Sequence, residues 1–173
     1  MELKDFLELV QGNEKDIINY EGAEALEAVK EDGDALRFVK EQTPEICFAA
    51  VKENGCVLQY VKEQTPEICL AAVKKNGYVL QYVKEQTPEI CLKAVKEDGC
   101  ALRYVKEQTP ELCLIAVKKN GYALQYVKEQ TPEICFEAVK EEGCALQYVD
   151  KRIFKALSSE TITILGVKYR KVD

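Results

Sequence analysis

The residues of this chain best equipped for chemistry are its eight cysteines: Cys47, Cys56, Cys69, Cys91, Cys100, Cys113, Cys135 and Cys144. Thiolates attack electrophiles, bind soft metals and form disulfides. Their spacing argues against all three uses. Cys47, Cys69, Cys91, Cys113 and Cys135 recur every 22 residues, and the other three each follow a recurring Gly. There is no C-x-x-C pair and no His, so the usual zinc signatures are missing. The lack of His also removes any Ser–His or Cys–His pair. Equivalent positions of stacked helices lie ~8–10 Å apart, beyond the ~7 Å Cα separation a disulfide tolerates. The cysteines are therefore expected to be reduced, buried and small-apolar in character. No catalytic residue, metal ligand or cofactor is assigned, and the chain is read as non-enzymatic.

Other reactive types obey the same period. Phe38, Tyr60, Tyr82, Tyr104, Tyr126 and Tyr148 form an aromatic column. It could stack bases or sugars, but its Val and Leu neighbours favour a packed ladder with the hydroxyls at the surface. Glu45 and Glu67 recur at positions where helix starts explain them. The glycines are single, so no phosphate-cradling loop is formed.

These columns come from a tandem repeat. Gly33, Gly55, Gly77, Gly99, Gly121 and Gly143 are 22 residues apart, as are Pro44, Pro66, Pro88, Pro110 and Pro132. A fixed period of this length marks a stacked repeat architecture. Within a unit, Thr43 is an N-cap, Pro44 sits at N1, and a helix over 44–54 is expected to end at a left-handed Gly55. Its buried arc is Ile46, Cys47, Phe48, Ala50 and Val51. A shorter helix over 56–62, α or 3₁₀, turns Val57, Leu58, Tyr60 and Val61 inward and Gln59, Lys62 and Glu63 outward. A single unit cannot offset an ordering entropy of about 1–2 kcal/mol per residue, so neighbours must share their apolar faces.

The expected architecture is all-α: a solenoid of short two-helix repeats with a small C-terminal β-hairpin. Residues 1–20 form an N-terminal cap, 21–149 the six repeats, and 150–173 a cap helix and hairpin. The hairpin follows from period-two alternation over 161–164 and 167–172. The composition, 47% apolar and 31% charged, is that of a folded domain. The first residues lack the basic and apolar regions of a secretory signal, and no apolar run approaches the ~20 residues of a membrane span. A cytoplasmic protein that does not bind membranes is expected. A net charge of −6 weighs against a dedicated nucleic-acid binder, and it is modest for a mimic of DNA.

Differences between copies indicate where a partner would bind. The outer position of the long helix runs Ala49, Ala71, Lys93, Ile115, Glu137, and no other surface position varies as much. With Ile115 facing solvent, this face suits a shaped protein partner. The short-helix face is monotonous, Arg37, Gln59, Gln81, Arg103, Gln125, Gln147, and suits a repetitive ligand. A further alternation, Cys56, Tyr78, Cys100, Tyr122, Cys144, in step with Glu53, Lys75, Glu97, Lys119, Glu141, reads as ancestry and solubility.

The pattern Pro88-Glu89-Ile90-Cys91-Leu92, then Ala94-Val95-Lys96, Gly99, Leu102 and Tyr104-Val105, resembles a helical repeat family catalogued as a domain of unknown function, found in tandem in viral and bacterial proteins. The likeness spans roughly 21–149. It implies a helical solenoid and carries no catalytic residues. The favoured function is non-enzymatic protein binding, as a scaffold or inhibitor. The runner-up is nucleic-acid or nucleotide binding through the Lys, Gln, Arg and Tyr columns. A virus-encoded inhibitor of a host defence protein is a third reading, and pairing of two copies is left open.

Overall fold

A computed structural model describes residues 20–159, 162–164 and 167–169. The chain is an array of tandem α/3₁₀ repeats. The α-helices are α1 (Gly22–Glu31), α2 (Pro44–Glu53), α3 (Pro66–Lys75), α4 (Pro88–Glu97), α5 (Pro110–Lys119), α6 (Pro132–Glu141) and α7 (Lys151–Ser159). Between them run 3₁₀ helices η1 (Gly33–Phe38), η2 (Gly55–Tyr60), η3 (Gly77–Tyr82), η4 (Gly99–Tyr104), η5 (Gly121–Tyr126) and η6 (Gly143–Tyr148). Each of α1 to α5 packs on the next, and each of η1 to η5 packs on the α-helix that follows in the next repeat. Expected caps at 1–19 lie outside the described residues. Ile162–Ile164 and Val167–Tyr169 run antiparallel. Residues 165 and 166 between them lie outside the described residues, so the expected hairpin is not counted in the fold.

Helix starts follow the anticipated chemistry. Thr43 Oγ1 accepts from Ile46 N–H at 3.3 Å, with Pro44 at the first helical position, a cap worth ~1 kcal/mol. Helix ends do not follow it. The only glycine with positive φ among the described residues is Gly22, at 55°. The helix stops instead at Asn54, which is extended (φ −132°, ψ 105°) and whose Oδ1 accepts from Cys56 N–H at 3.0 Å. Asn76, Asp98 and Asn120 do the same in later repeats. This side chain ends the α-helix and caps the 3₁₀ helix together.

Gly55 is needed for a different reason. A Cβ on it would lie 2.8 Å from the Ala72 carbonyl oxygen of the next repeat; on Gly33 it would lie 2.7 Å from Ala50 O, and on Gly77 2.5 Å from Ala94 O. Gly99 and Gly121 meet Ala116 and Ala138 in the same way. The column records how closely two backbones approach.

The core is a continuous column of Ile or Leu, Cys, Ala and Val from each of α2 to α5, with Val or Ala, Leu and a terminal Val from each of η1 to η5 and smaller contributions from α1, α6 and η6. Two anticipated core members lie outside it. Phe48 is 40% exposed, and the tyrosines of the aromatic column are half-buried or exposed. Both sit at the edge of their arc, where the adjacent repeats have already covered the central positions.

Gly77→Ala should destabilise the chain by roughly 1–3 kcal/mol, because the methyl group meets a backbone carbonyl held by two helices. Gly143 has nothing within 4 Å of an added Cβ, so Gly143→Ala should be neutral or stabilising by about 0.4–1 kcal/mol. Urea denaturation of the two variants measures the contrast. Equal losses would show that the column serves backbone flexibility rather than close approach.

Candidate functional site

Three side-chain columns run along the stack, and the sequence singled out two of them. The first, Ala49, Ala71, Lys93, Ile115 and Glu137, is less open than expected. Ala49, Ala71 and Ile115 pack against the core as half-buried residues. Lys93 is paired with Glu97 at 2.7 Å, which holds the Glu97 carboxyl below its ordinary range. Glu137 is only 4% exposed, with Lys140 at 3.5 Å and Lys118 of the preceding repeat at 4.0 Å. Ile115 therefore does not simply face solvent. The position lies at the rim of the inter-repeat junction, because consecutive α-helices pack more closely than an isolated helical wheel allows for.

Ile115 instead helps line a cleft between α4 and α5 of about 460 Å³, together with Leu92, Leu112, Pro88, Cys91 and, at the rim, Lys106, Glu107 and Glu111. Leu112 stands where α2, α3, α4 and α6 carry Ile. It is 8% exposed against 1% for Ile90. The corresponding cleft one repeat earlier holds about 270 Å³.

The second column, Arg37, Gln59, Gln81, Arg103, Gln125 and Gln147, is exposed throughout. Its glutamines bond locally: Gln59 Nε2 donates to Cys56 O at 3.2 Å and Gln125 Nε2 to Tyr122 O at 3.0 Å. The two arginines bridge aromatic rings of successive repeats. The Arg37 guanidinium lies 5.3 Å from the Phe38 ring centre and 5.7 Å from that of Tyr60; Arg103 lies 5.0 Å from Tyr104 and 5.4 Å from Tyr126. These are cation–π distances.

The third column, Gln42, Gln64, Gln86, Gln108 and Gln130, lies in the linker between each 3₁₀ helix and the next Thr-Pro, and sequence reasoning gave it no role. Gln64 Nε2 donates to Leu58 O at 3.3 Å and, across the junction, to Tyr82 O at 2.9 Å. Its Oε1 accepts from Lys84 N–H at 3.0 Å and from the Cys69 thiol at 3.7 Å. The other four bridge the next repeat in the same way. Beside them a lysine ladder ties linker to linker: Lys84 Nζ donates to Lys62 O at 2.7 Å and Lys128 Nζ to Lys106 O at 2.7 Å. The unbroken recurrence of Gln in an otherwise solvent-exposed linker was the available signal.

The alternation after Gly also has a packing role that sequence reasoning assigned to ancestry. Tyr78 meets Tyr104 edge-on at 6.0 Å, and Tyr122 meets Tyr148 at 6.4 Å. All eight cysteines are free. Burial pushes the thiols of Cys47, Cys69, Cys91 and Cys113 up, and that of Cys135 to about 11, where Asp150 adds to the effect. Among the described residues no group of His, Cys, Asp and Glu could hold a metal ion. No described helix is long and apolar enough to cross a membrane. In the native state a thiol reagent should therefore modify the exposed Cys144 first and the half-buried Cys56 more slowly. The five cysteines of the repeat column should react only on unfolding. Mass spectrometry of timed alkylation at neutral pH reads the order, and rapid native labelling of Cys91 would contradict the buried hydrogen-bonded geometry.

No curated protein and no solved structure matches the chain. A family model described as a domain of unknown function, DUF4116, matches in five overlapping registers, residues 25–65, 43–86, 65–109, 87–131 and 109–154. Each match covers about two repeats, which is the minimal span that contains one complete junction with its Gly, Ala and Gln contacts. The chain accordingly belongs to the DUF4116 family.

Proposed function

We propose that this is a cytoplasmic, non-enzymatic protein-binding scaffold or inhibitor, acting through the extended side of the stack that carries Ala49, Ala71, Lys93, Ile115 and Glu137. The observation that carries the reading is the apolar cleft between α4 and α5. Its two distinguishing residues, Leu112 and Ile115, depart from the repeat consensus, and its rim carries charges of both signs. A cleft of this size accepts one large apolar side chain of a partner, worth roughly 1.5–3 kcal/mol when buried. The Lys106, Glu107 and Glu111 rim would set orientation and specificity. A small C-terminal hairpin at Ile162–Ile164 and Val167–Tyr169 stays part of this proposal rather than of the fold. Inhibition of a host defence protein by a virus-encoded chain is one form such binding could take.

A second reading has its own observation. The Arg37 and Arg103 sandwiches are exposed and spaced three repeats apart, and a nucleobase could extend either stack. The Lys ladder supports this reading weakly, since its ammonium groups already donate to backbone carbonyls.

The two readings separate in one set of measurements. Under protein binding, a captured partner survives nuclease treatment, and Lys93→Glu with Ile115→Asp weakens it by about tenfold or more while circular dichroism is unchanged. Capture that is indifferent to the double substitution removes this surface from consideration. Under nucleic-acid binding, fluorescence anisotropy with a single-stranded oligonucleotide gives an affinity that falls as salt rises and is lost in Arg37→Ala with Arg103→Ala. A flat titration at low salt eliminates that alternative.

A further inference from the structure

The cleft between α4 and α5 has polar groups on its wall, and most of them are already engaged. The Gln86 amide serves the junction: Nε2 donates to Tyr104 O at 2.8 Å, and Oε1 accepts from Lys106 N–H at 3.0 Å and from the Cys91 thiol at 3.6 Å. The Thr87 and Thr109 hydroxyls accept from the N–H groups of Ile90 and Leu112 at 3.3 and 3.2 Å. Lys106 Nζ donates to Lys84 O of the preceding linker at 3.0 Å. Two lining groups differ. Glu107 and Glu111 are exposed and form no ion pair among the described residues. A group entering the cleft therefore meets an apolar wall of Pro88, Leu92, Leu112 and Ile115 beside two unpaired carboxylates.

The sign of this rim recurs along the linker edge of the stack. Each linker carries a Lys-Glu pair, as at Lys84-Glu85 and Lys128-Glu129, and each following helix adds a Glu after its Pro. Two carboxylates thus stand against one ammonium in each repeat, and that ammonium is held on a backbone carbonyl. Such an edge attracts cations and repels phosphates. A second copy of the chain, with its own net charge of −6, is disfavoured for the same reason.

We propose that the α4–α5 cleft binds a linear segment of another protein that presents one large apolar side chain with Lys or Arg beside it. This rests on the protein-binding reading above and gives the partner its chemistry. The apolar side chain enters between Leu92, Leu112 and Ile115. The basic side chains lie along the linker and give Glu107 and Glu111 the charge-assisted hydrogen bonds they lack within the chain. The cleft one repeat earlier has the same charged rim, Lys84 and Glu85, but holds about 270 Å³ and has Ile90 where this one has Leu112. Charge alone would hold a partner at either junction, and the apolar anchor selects this one.

Selection of phage-displayed random peptides on the full chain tests the proposal without presuming a partner. The enriched peptides should share a Phe, Leu, Met or Ile with Lys or Arg within a few positions. Fluorescence anisotropy with a synthetic copy of the enriched peptide should show a loss of about tenfold or more with Ile115→Asp. Glu107→Lys with Glu111→Lys should cost a similar factor, and Glu107→Gln with Glu111→Gln less. Glu63→Lys with Glu67→Lys, an equal charge change at exposed positions two repeats away, should leave binding nearly unchanged. Affinity should fall as salt rises. Enrichment of acidic or uncharged peptides, or of none, overturns the proposal, as does an equal loss at the distant pair. A peptide sensitive to Ile115→Asp and indifferent to reversal of Glu107 and Glu111 overturns it and leaves the protein-binding reading standing. A peptide indifferent to Ile115→Asp removes both. Self-association in sedimentation velocity that Ile115→Asp abolishes would place a second copy in the cleft and overturn the choice of partner.

Discussion

Two backbones meet where each repeat touches the next, and this approach sets the geometry of the whole stack. The glycine that opens each of η1 to η5 lies against an alanine carbonyl of the following α-helix, with no room for a Cβ. Close approach of this kind lets Leu58, Val57 and Val61 reach the neighbouring helix and lose contact with water entirely or nearly so. It also brings the linker within reach of the Gln side chain, which then bridges the junction through both its amide nitrogen and its oxygen. With a larger spacing the Gln bridge, the Lys ladder and the buried Leu would all fail together.

The same constraint decides what the surface can offer. Positions near the junction are drawn into it, so the column at Ala49 and its equivalents becomes a rim, and Glu137 loses nearly all contact with solvent. Positions on the far side of the 3₁₀ helix stay outside, where Arg37 and Arg103 lie across aromatic rings of successive repeats. The five cysteines of the repeat column belong to the interior: their thiols donate to the bridging glutamines, and burial holds their protons on. One junction departs from the others. Leu112 and Ile115 line a cleft between α4 and α5 that is larger than the corresponding one a repeat earlier.

Among the described residues the outermost repeats differ from the interior ones: Leu146 is 50% exposed where the equivalent leucines are buried, and Glu24, Glu27 and Glu31 line a cleft on α1 and η1.

Much of this was legible without coordinates. Periodicity alone determined the repeat, its length, the helix starts at Thr-Pro and the apolar interior of Ile, Cys, Ala and Val, because these depend on local backbone preference and on side-chain polarity. The short helix was located but not typed, since its spacing serves α and 3₁₀ alike. Three features depended on the tertiary structure. The glycines looked like left-handed helix ends, yet Asn54 and its equivalents end the helices and the glycines admit a neighbouring carbonyl. The linker glutamines were assigned no role, yet they hold successive repeats together. Ile115 looked exposed, yet it lines a cleft with Leu92. Each error has one cause: a sequence repeat reports what a residue does to its own backbone, whereas these residues act on the unit 22 positions away, and only the packed distance between units reveals it.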